Sequence, residues 1–290
     1  MSIDPARLEI IQHASDIGRW ELLRCRPDAR LAPYVFEYQG YREWTATTVR
    51  RVEFALPAAV VIINFGPAWR LGDGHAPGRM TRYGSFIAGM YSTYAISENT
   101  GASHCLQFNL TPIGARRIFG IPMHALSERI VDFSDVMGRA GERLETQMAE
   151  AADWETRFDL LDRFLLQRIS QSKPVSGAVG HGWNRLRDSG GMIPVAALAD
   201  ELGWSRKHLA NKFGEDVGLA PKTIARLFRF RRVVDRSADD LASCWSDVAL
   251  DAGYFDQAHL IRDFRQFAGM TPVDFQRSRL PDGSGVIDKA

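Results

Sequence analysis

LADELGWSRKHLANKFGEDVGLAP, residues 198–221, and VALDAGYFDQAHLIRDFRQFAGMTP, residues 248–272, carry one skeleton twice. A shift of 50 places lays Ala199 on Ala249 and Gly203 on Gly253. A shift of 51 lays His208 on His259, Leu209 on Leu260, Phe213 on Phe264, Gly218 on Gly269 and Pro221 on Pro272. A repeat of this length is a supersecondary unit copied within one domain. Each copy predicts two short helices joined at a glycine, with the shared Leu and Phe four residues apart on one buried face. That is a helix-turn-helix, and a tandem pair predicts a reader of double-stranded DNA.

The letters of each copy divide into core and face. In the first, Pro194 opens a helix that buries Val195, Leu198, Ala199 and Leu202, Gly203 turns the chain, and Ser205 caps the next helix. With Leu209 and Phe213 inward, Lys207, Ala210 and Asn211 share an exposed stripe beside Arg206. The major groove accepts such a helix, because Lys donates to guanine and Asn pairs bidentately with adenine. Ser205 and Lys212 are candidates for phosphates, which fix register without reading sequence. In the second copy Asp256 caps a helix that buries Leu260 and Phe264 and leaves Gln257, Ala258, His259 and Arg262 for groove or backbone. Between the copies, Pro221 to about Arg236 reads as one arginine-rich helix, with Arg229 and Arg232 as phosphate candidates.

Charge supports this only locally. Residues 1–177 hold 20 Lys and Arg against 20 Asp and Glu, and residues 178–290 hold 16 against 15. Between Trp204 and Arg232, however, eight basic residues face two acidic ones. A stripe this short engages phosphates without making the domain cationic. With 290 residues and 45% apolar content the chain suits about two domains. No apolar run approaches a membrane span and the start, MSIDPARLEI, lacks a secretion pattern, so a soluble cytoplasmic protein is expected. Cys25, Cys105 and Cys244 are too scattered for a disulfide framework or a clustered zinc site.

The N-terminal part has another texture. From about Trp20 to Leu110, short apolar runs such as AVVIINFG and HCLQFNL are broken by Gly and Pro and predict the strands of a sandwich or barrel. Thr111 with Pro112 predicts a helix start, and Gly120 its stop. Two longer helices follow, near Gly141–Ala151 and from Asp153 to about Ile169. The second carries the stripe Trp154, Phe158, Leu161 and Leu165, which reads either as a dimer interface or as core of its own domain. The chain is thus α+β in two domains: 1–170 for sensing and dimerisation, a linker at 171–177, 178–280 for DNA, and a flexible tail at 281–290.

Residues 179–279 resemble the paired helix-turn-helix domain of the AraC/XylS family of bacterial transcription regulators. The family's Ala, Gly-aromatic, Phe, Gly and Thr-Pro signature stands here as Ala249, Gly253 with Tyr254, Phe264, Gly269, and Thr271 with Pro272. Phe255, His259 and Leu260 depart from it, which leaves open whether the second unit reads bases or anchors the backbone. The resemblance implies a cupin-like barrel with helices as a sensing and dimerisation domain, a small-molecule effector and action on RNA polymerase.

Candidates for the effector pocket are Trp44, Phe65, Trp69, Tyr83, His104 and Phe108, with Arg51 and Glu53 for a polar end. His104 shares strand parity with Leu106, Phe108 and Leu110, which places it on a core face. Neither a metal nor a cofactor is expected: His75, Glu98 and His104 lack a ligand spacing, and GPAWRLGDGHAPG, residues 66–78, reads as a loop without dinucleotide-loop geometry. A ligand-responsive, non-enzymatic DNA-binding regulator is the expectation. An effector-free adaptor that recruits RNA polymerase and a barrel enzyme tethered to DNA stand as alternatives.

Overall fold

The computed structural model describes residues 7–14, 18–74, 76, 78–239, 245–279 and 286–288. His75 and Cys244 lie outside them. The N-terminal part is two antiparallel sheets with helices on one side. One sheet has strand order β1-β2-β3-β10-β5-β8-β11 (Leu8–Ala14, Gly18–Cys25, Val35–Thr45, Ala102–Leu110, Ala59–Asn64, Phe86–Ala88, Ile130–Asp132). The other has order β4-β9-β6-β7 (Val49–Glu53, Ala95–Asn99, Trp69–Asp73, Met80–Tyr83). Strand β6 corrects the reading of residues 66–78 as loop: Trp69 to Asp73 pair with β7 and β9. Strand β1, LEIIQHA, begins before the region read as strands and pairs along its whole length with β2.

Helix α1 (Pro112–Phe119) starts where Thr111 accepts the N–H of Gly114 and stops at Gly120, whose φ of 74° is left-handed. Helices α2 (Phe133–Glu150, broken at Gly138) and α3 (Trp154–Gln171) complete a layer over the larger sheet. Strands β10 and β5 are buried on both faces. Leu106, Phe108, Leu110, Val61 and Ile63 meet the helices, whereas Cys105 and Ile62 turn toward the smaller sheet.

The stripe on α3 is core of its own domain: Phe158, Leu161 and Leu165 are fully buried, and Trp154 nearly so. Phe158 stacks on Tyr38, ring centroids 6.0 Å apart, and Trp154 stacks on Phe158. The expectation that this stripe forms a dimer interface is therefore corrected. Its apolar spacing served the sheet beneath it.

Past residues 172–176 the chain enters seven helices among the described residues: α4 (Gly177–Asp188), α5 (Val195–Glu201), α6 (Arg206–Asp216), α7 (Pro221–Asp239), α8 (Trp245–Asp251), α9 (Gln257–Ala268) and α10 (Pro272–Ser278). One core holds Trp183, Leu198, Leu209, Phe213, Phe230, Val248, Leu260 and Phe264 together, and it also takes in Ala55 and Met90 of the barrel. The end of the chain, read as a flexible tail, returns to the barrel at residues 286–288. Val286 is buried and its carbonyl accepts the N–H of Val52; the Asp288 N–H donates to the Arg50 carbonyl, and its carboxylate pairs with Arg50 at 2.6 Å. The edge strand β4 supplies the open backbone groups that make this possible.

Candidate nucleic-acid interface

The two helix-turn-helix units are built alike. In each, the turn glycine has positive φ, 65° at Gly203 and 81° at Gly253, and the next residue's N–H donates to the alanine of the preceding helix, Trp204 to Ala199 and Tyr254 to Ala249, both at 2.9 Å. Ser205 then accepts the N–H of His208, and Asp256 that of His259, which caps α6 and α9. The aromatic after each glycine meets the histidine edge-on, Trp204 with His208 at 4.7 Å and Tyr254 with His259 at 5.1 Å. The repeat seen in sequence is thus a repeat of turn, cap and ring contact.

On α6, Leu209 and Phe213 are buried, while Arg206, Lys207, Ala210 and Asn211 are exposed and lie on the outward side. Lys212 differs. It pairs with Glu215 at 2.9 Å, which raises its pKa, and it borders a cleft with Arg116, Arg168 and residues 172–176 of the connecting segment. On α9, Gln257, Ala258 and Arg262 are exposed; His259 is half-buried against Tyr254.

Arg229 and Arg232, read as phosphate candidates, both bond within the protein, Arg229 half-buried and Arg232 exposed. Arg229 donates to the Gly191 carbonyl at 3.0 Å and lies over the Tyr254 ring. Arg232 donates to the Asp251 carbonyl at the end of α8 and to the Met192 sulfur. A long cationic side chain reaches such carbonyls across a helix junction, which a linear charge count does not reveal. Sequence reasoning also passed over Arg226, which clamps Asp263 at 2.6 Å and Gln266 at 2.6 Å and fastens α7 to α9. The available signal was an acid, Asp263, on the apolar side of its helix; it is 1% exposed.

The barrel rests on both units. Ser127 donates to the Gly218 carbonyl at 2.7 Å and Arg116 meets Asp216 at 3.4 Å beside the first. Against the second, the Ala55 N–H donates to the Phe267 carbonyl and Gln266 donates to the Ser92 carbonyl. Tyr94 lies so close to Gly269 that a Cβ there would sit 2.5 Å from its ring, so only glycine fits.

Between the sheets lies a cavity in two lobes of about 300 and about 120 Å³ that share Glu53, Trp69, Ser97 and Gln107. Of the pocket candidates, Trp69 lines both lobes and Tyr83 packs beside Phe86 near the smaller one. Trp44 is corrected: it is 44% exposed beneath Arg19. Phe65, His104 and Phe108 are corrected too, because they face the helices; Phe65 and His104 meet Trp154 with centroids 6.5 and 5.4 Å away. Parity placed His104 on a core face correctly, but the sheet has two. Burial, then Arg42 and Arg157, push the pKa of His104 down to about 4. Arg51 and Glu53 do reach the cavity. Among the described residues no group of three His, Cys, Asp or Glu is placed to hold a metal, and no helix is long and apolar enough to cross a membrane.

Residues 198–278 match the model of a family described as a helix-turn-helix domain. An uncharacterized HTH-type transcriptional regulator of Staphylococcus aureus strain MRSA252 is 27% identical over 88 residues, 30% of this chain and 12% of that protein. A counterpart from strain MSSA476 matches to the same extent. The chain thus spans about an eighth of the length of the curated relatives it matches. Among solved structures, ToxT from Vibrio cholerae O395 gives a TM-score of 0.47 at 9% identity over 86% of this chain and 98% of that one. The AraC-like transcriptional activator CuxR gives 0.31 at 14% identity over 80% and 86%.

Proposed function

We propose, from a C-terminal domain that matches a helix-turn-helix family and resembles the AraC/XylS pair, that this chain is a sequence-specific DNA-binding transcription regulator whose barrel senses a small molecule. The observation that carries the reading is the matched pair of capped helices, each with an exposed polar face: Arg206, Lys207, Ala210 and Asn211 on α6, and Gln257, Ala258 and Arg262 on α9. Lys207 and Asn211 suit guanine and adenine edges in one major groove, and Gln257 and Arg262 suit bases or phosphates in the next. Helix α7, with 19 residues, spans about 28 Å, which supports a separation near one turn of duplex.

Sensing is supported by the cavity and by its position. Phe54 and Ala55 line the smaller lobe; the Phe54 ring packs on Phe230 and Phe275, and Ala55 bonds to Phe267. Two adjacent residues thus link the lobe to α7, α9 and α10. RNA polymerase is the expected protein partner of such a regulator and the cytoplasm its place of action; no catalytic step is assigned to the barrel. A second copy is the expected partner at paired sites, through a surface other than the buried α3 stripe.

The test is the double variant Lys207→Ala/Asn211→Ala against duplexes selected by the parent from a random pool. Each lost base contact costs about 1–3 kcal/mol and relaxes preference at particular base pairs. A double variant that binds every duplex as the parent does removes α6 from the groove.

A further inference from the structure

We propose that the barrel cavity takes a small neutral molecule, apolar over most of its surface, that offers a hydrogen-bond acceptor to Trp69 and a donor to Asn99. The inference rests on the reading of the barrel as the sensing module and specifies the chemistry it senses.

The buried cation of the cavity wall is already paired. Arg51 grips both oxygens of Glu43 with two guanidinium nitrogens, and the two residues are 8% and 3% exposed. Glu53 accepts the hydroxyl of Ser97 at 2.6 Å. An anionic ligand would have to draw Arg51 away and leave the Glu43 carboxylate buried without its cation, and a cation drawn to Glu53 would enter the field of the Arg51 guanidinium beside it. Arg24 also lines the larger lobe, half-exposed and 3.9 Å from Glu9. A neutral molecule disturbs none of these pairs.

Three uncharged polar atoms of the same wall have no hydrogen-bond partner among the described residues: Nε1 of Trp69, Oγ1 of Thr93 and Oδ1 of Asn99. Thr93 is 3% and Asn99 5% exposed, so neither is served by bulk solvent. Asn99 belongs to the larger lobe, Thr93 to the smaller, and Trp69 to both. An indole N–H only donates and a carboxamide oxygen only accepts, which sets the ligand's acceptor and donor. The smaller lobe asks for an apolar body, since Phe54, Ile62, Leu71, Phe86 and Ile130 surround it. Buried polar atoms left unpaired are costly, and a ligand that satisfies them gains what an apolar filler does not.

The probe is 2-naphthol, neutral at pH 7 with one hydroxyl that both donates and accepts, set against 2-naphthoate, the same rings with a carboxylate. Titration calorimetry of the full chain is expected to show naphthol binding at least tenfold more tightly than naphthoate. Trp69→Phe, which keeps an aromatic ring and removes the N–H, is expected to weaken naphthol by roughly fivefold to tenfold. Ala88→Phe, which fills the smaller lobe, is expected to abolish binding while thermal unfolding stays near the parent's. Naphthoate binding as tightly as naphthol would overturn the neutral class and leave the sensing role standing. A folded protein that binds neither probe would overturn the cavity site and the sensing role together. Naphthol binding that ignores both substitutions places the ligand elsewhere and overturns the proposal.

Discussion

Replacing Arg229 with Met separates two roles that a basic residue on the connector helix can hold. In the structure its guanidinium donates to the Gly191 carbonyl at 3.0 Å, lies 5.7 Å from the centre of the Tyr254 ring, and keeps its Nε buried without a partner among the described residues. Loss of a charged hydrogen bond costs about 1.5–3 kcal/mol, and the cation–π contact adds about 0.5–1. Removal of the unpaired Nε returns about 1, and the methionine stem keeps most of the packing. The net loss is about 2 kcal/mol, from the junction of α4, α7 and α8. Urea unfolding followed by tryptophan fluorescence measures it. In parallel, DNA affinity is measured over a salt series, where each released phosphate contact lowers the slope of log K against log salt by about 0.9. The expectation is a lower urea midpoint with an unchanged slope, whereas Arg206→Ala, at an exposed position on α6, is expected to give the reverse. Parental stability together with a shallower slope in Arg229→Met would refute the structural role.

Phe158→Ala, at a fully buried position between Tyr38 and Trp154, is expected to cost about 3–5 kcal/mol independently of protein concentration; a loss that grows on dilution would restore the stripe to a dimer interface. His104 titrates near 4 in the fold against 6.5 unfolded. The unfolded chain therefore takes up a proton that folded His104 refuses, so its contribution is complete above pH 6.5 and is lost as pH falls toward 4. The full shift corresponds to about 3 kcal/mol, which the partial exposure of the ring reduces to about 1–2. An NMR titration of the ring, and a pH series of urea midpoints in which His104→Gln flattens the loss, check it. Gly269→Ala places a methyl 2.5 Å from the Tyr94 ring at a φ of 69° and is expected to cost about 2 kcal/mol. Tyr94→Ala should relieve about 1 of that in a double-mutant cycle, and strict additivity would show the contact to be idle.

The helical half was legible because helix grammar is local. Caps at Ser205 and Asp256, glycines with left-handed φ at 203 and 253, and Leu-Phe pairs four apart each follow from a window of a few residues. The barrel was legible only as strands. On β10 both parities are apolar or neutral, so alternation puts Leu106 and Phe108 on one face and Cys105 and Gln107 on the other, but not which face meets helices and which meets the cavity. That choice sent Phe65, His104 and Phe108 to the wrong side. It equally hid Gln39, Tyr41 and Asn99, which line the space between the sheets. Long side chains were the other blind spot, because Arg229 and Arg232 are defined by carbonyls 38 and 19 residues away.

The copies in the repeat are equivalent in backbone and unequal in attachment. The barrel meets the first unit at its outer edge, through Ser127 and Arg116 on Gly218 and Asp216, at the end of α6 away from its cap. It meets the second through the segments that follow β4 and precede β9: Ala55 and Ser92 on Phe267 and Gln266, with Tyr94 against Gly269. Val286 and Asp288 then close the same β4 strand whose Arg51 and Glu53 face the cavity, so one strand carries cavity side chains on its inner face and the chain's end on its edge. A strand held on two sides transmits displacement because packed interfaces shift between discrete arrangements rather than stretch. The second unit thus touches the segments around the cavity more directly, and Lys207 and Asn211 of the first stand exposed on the outer face of α6.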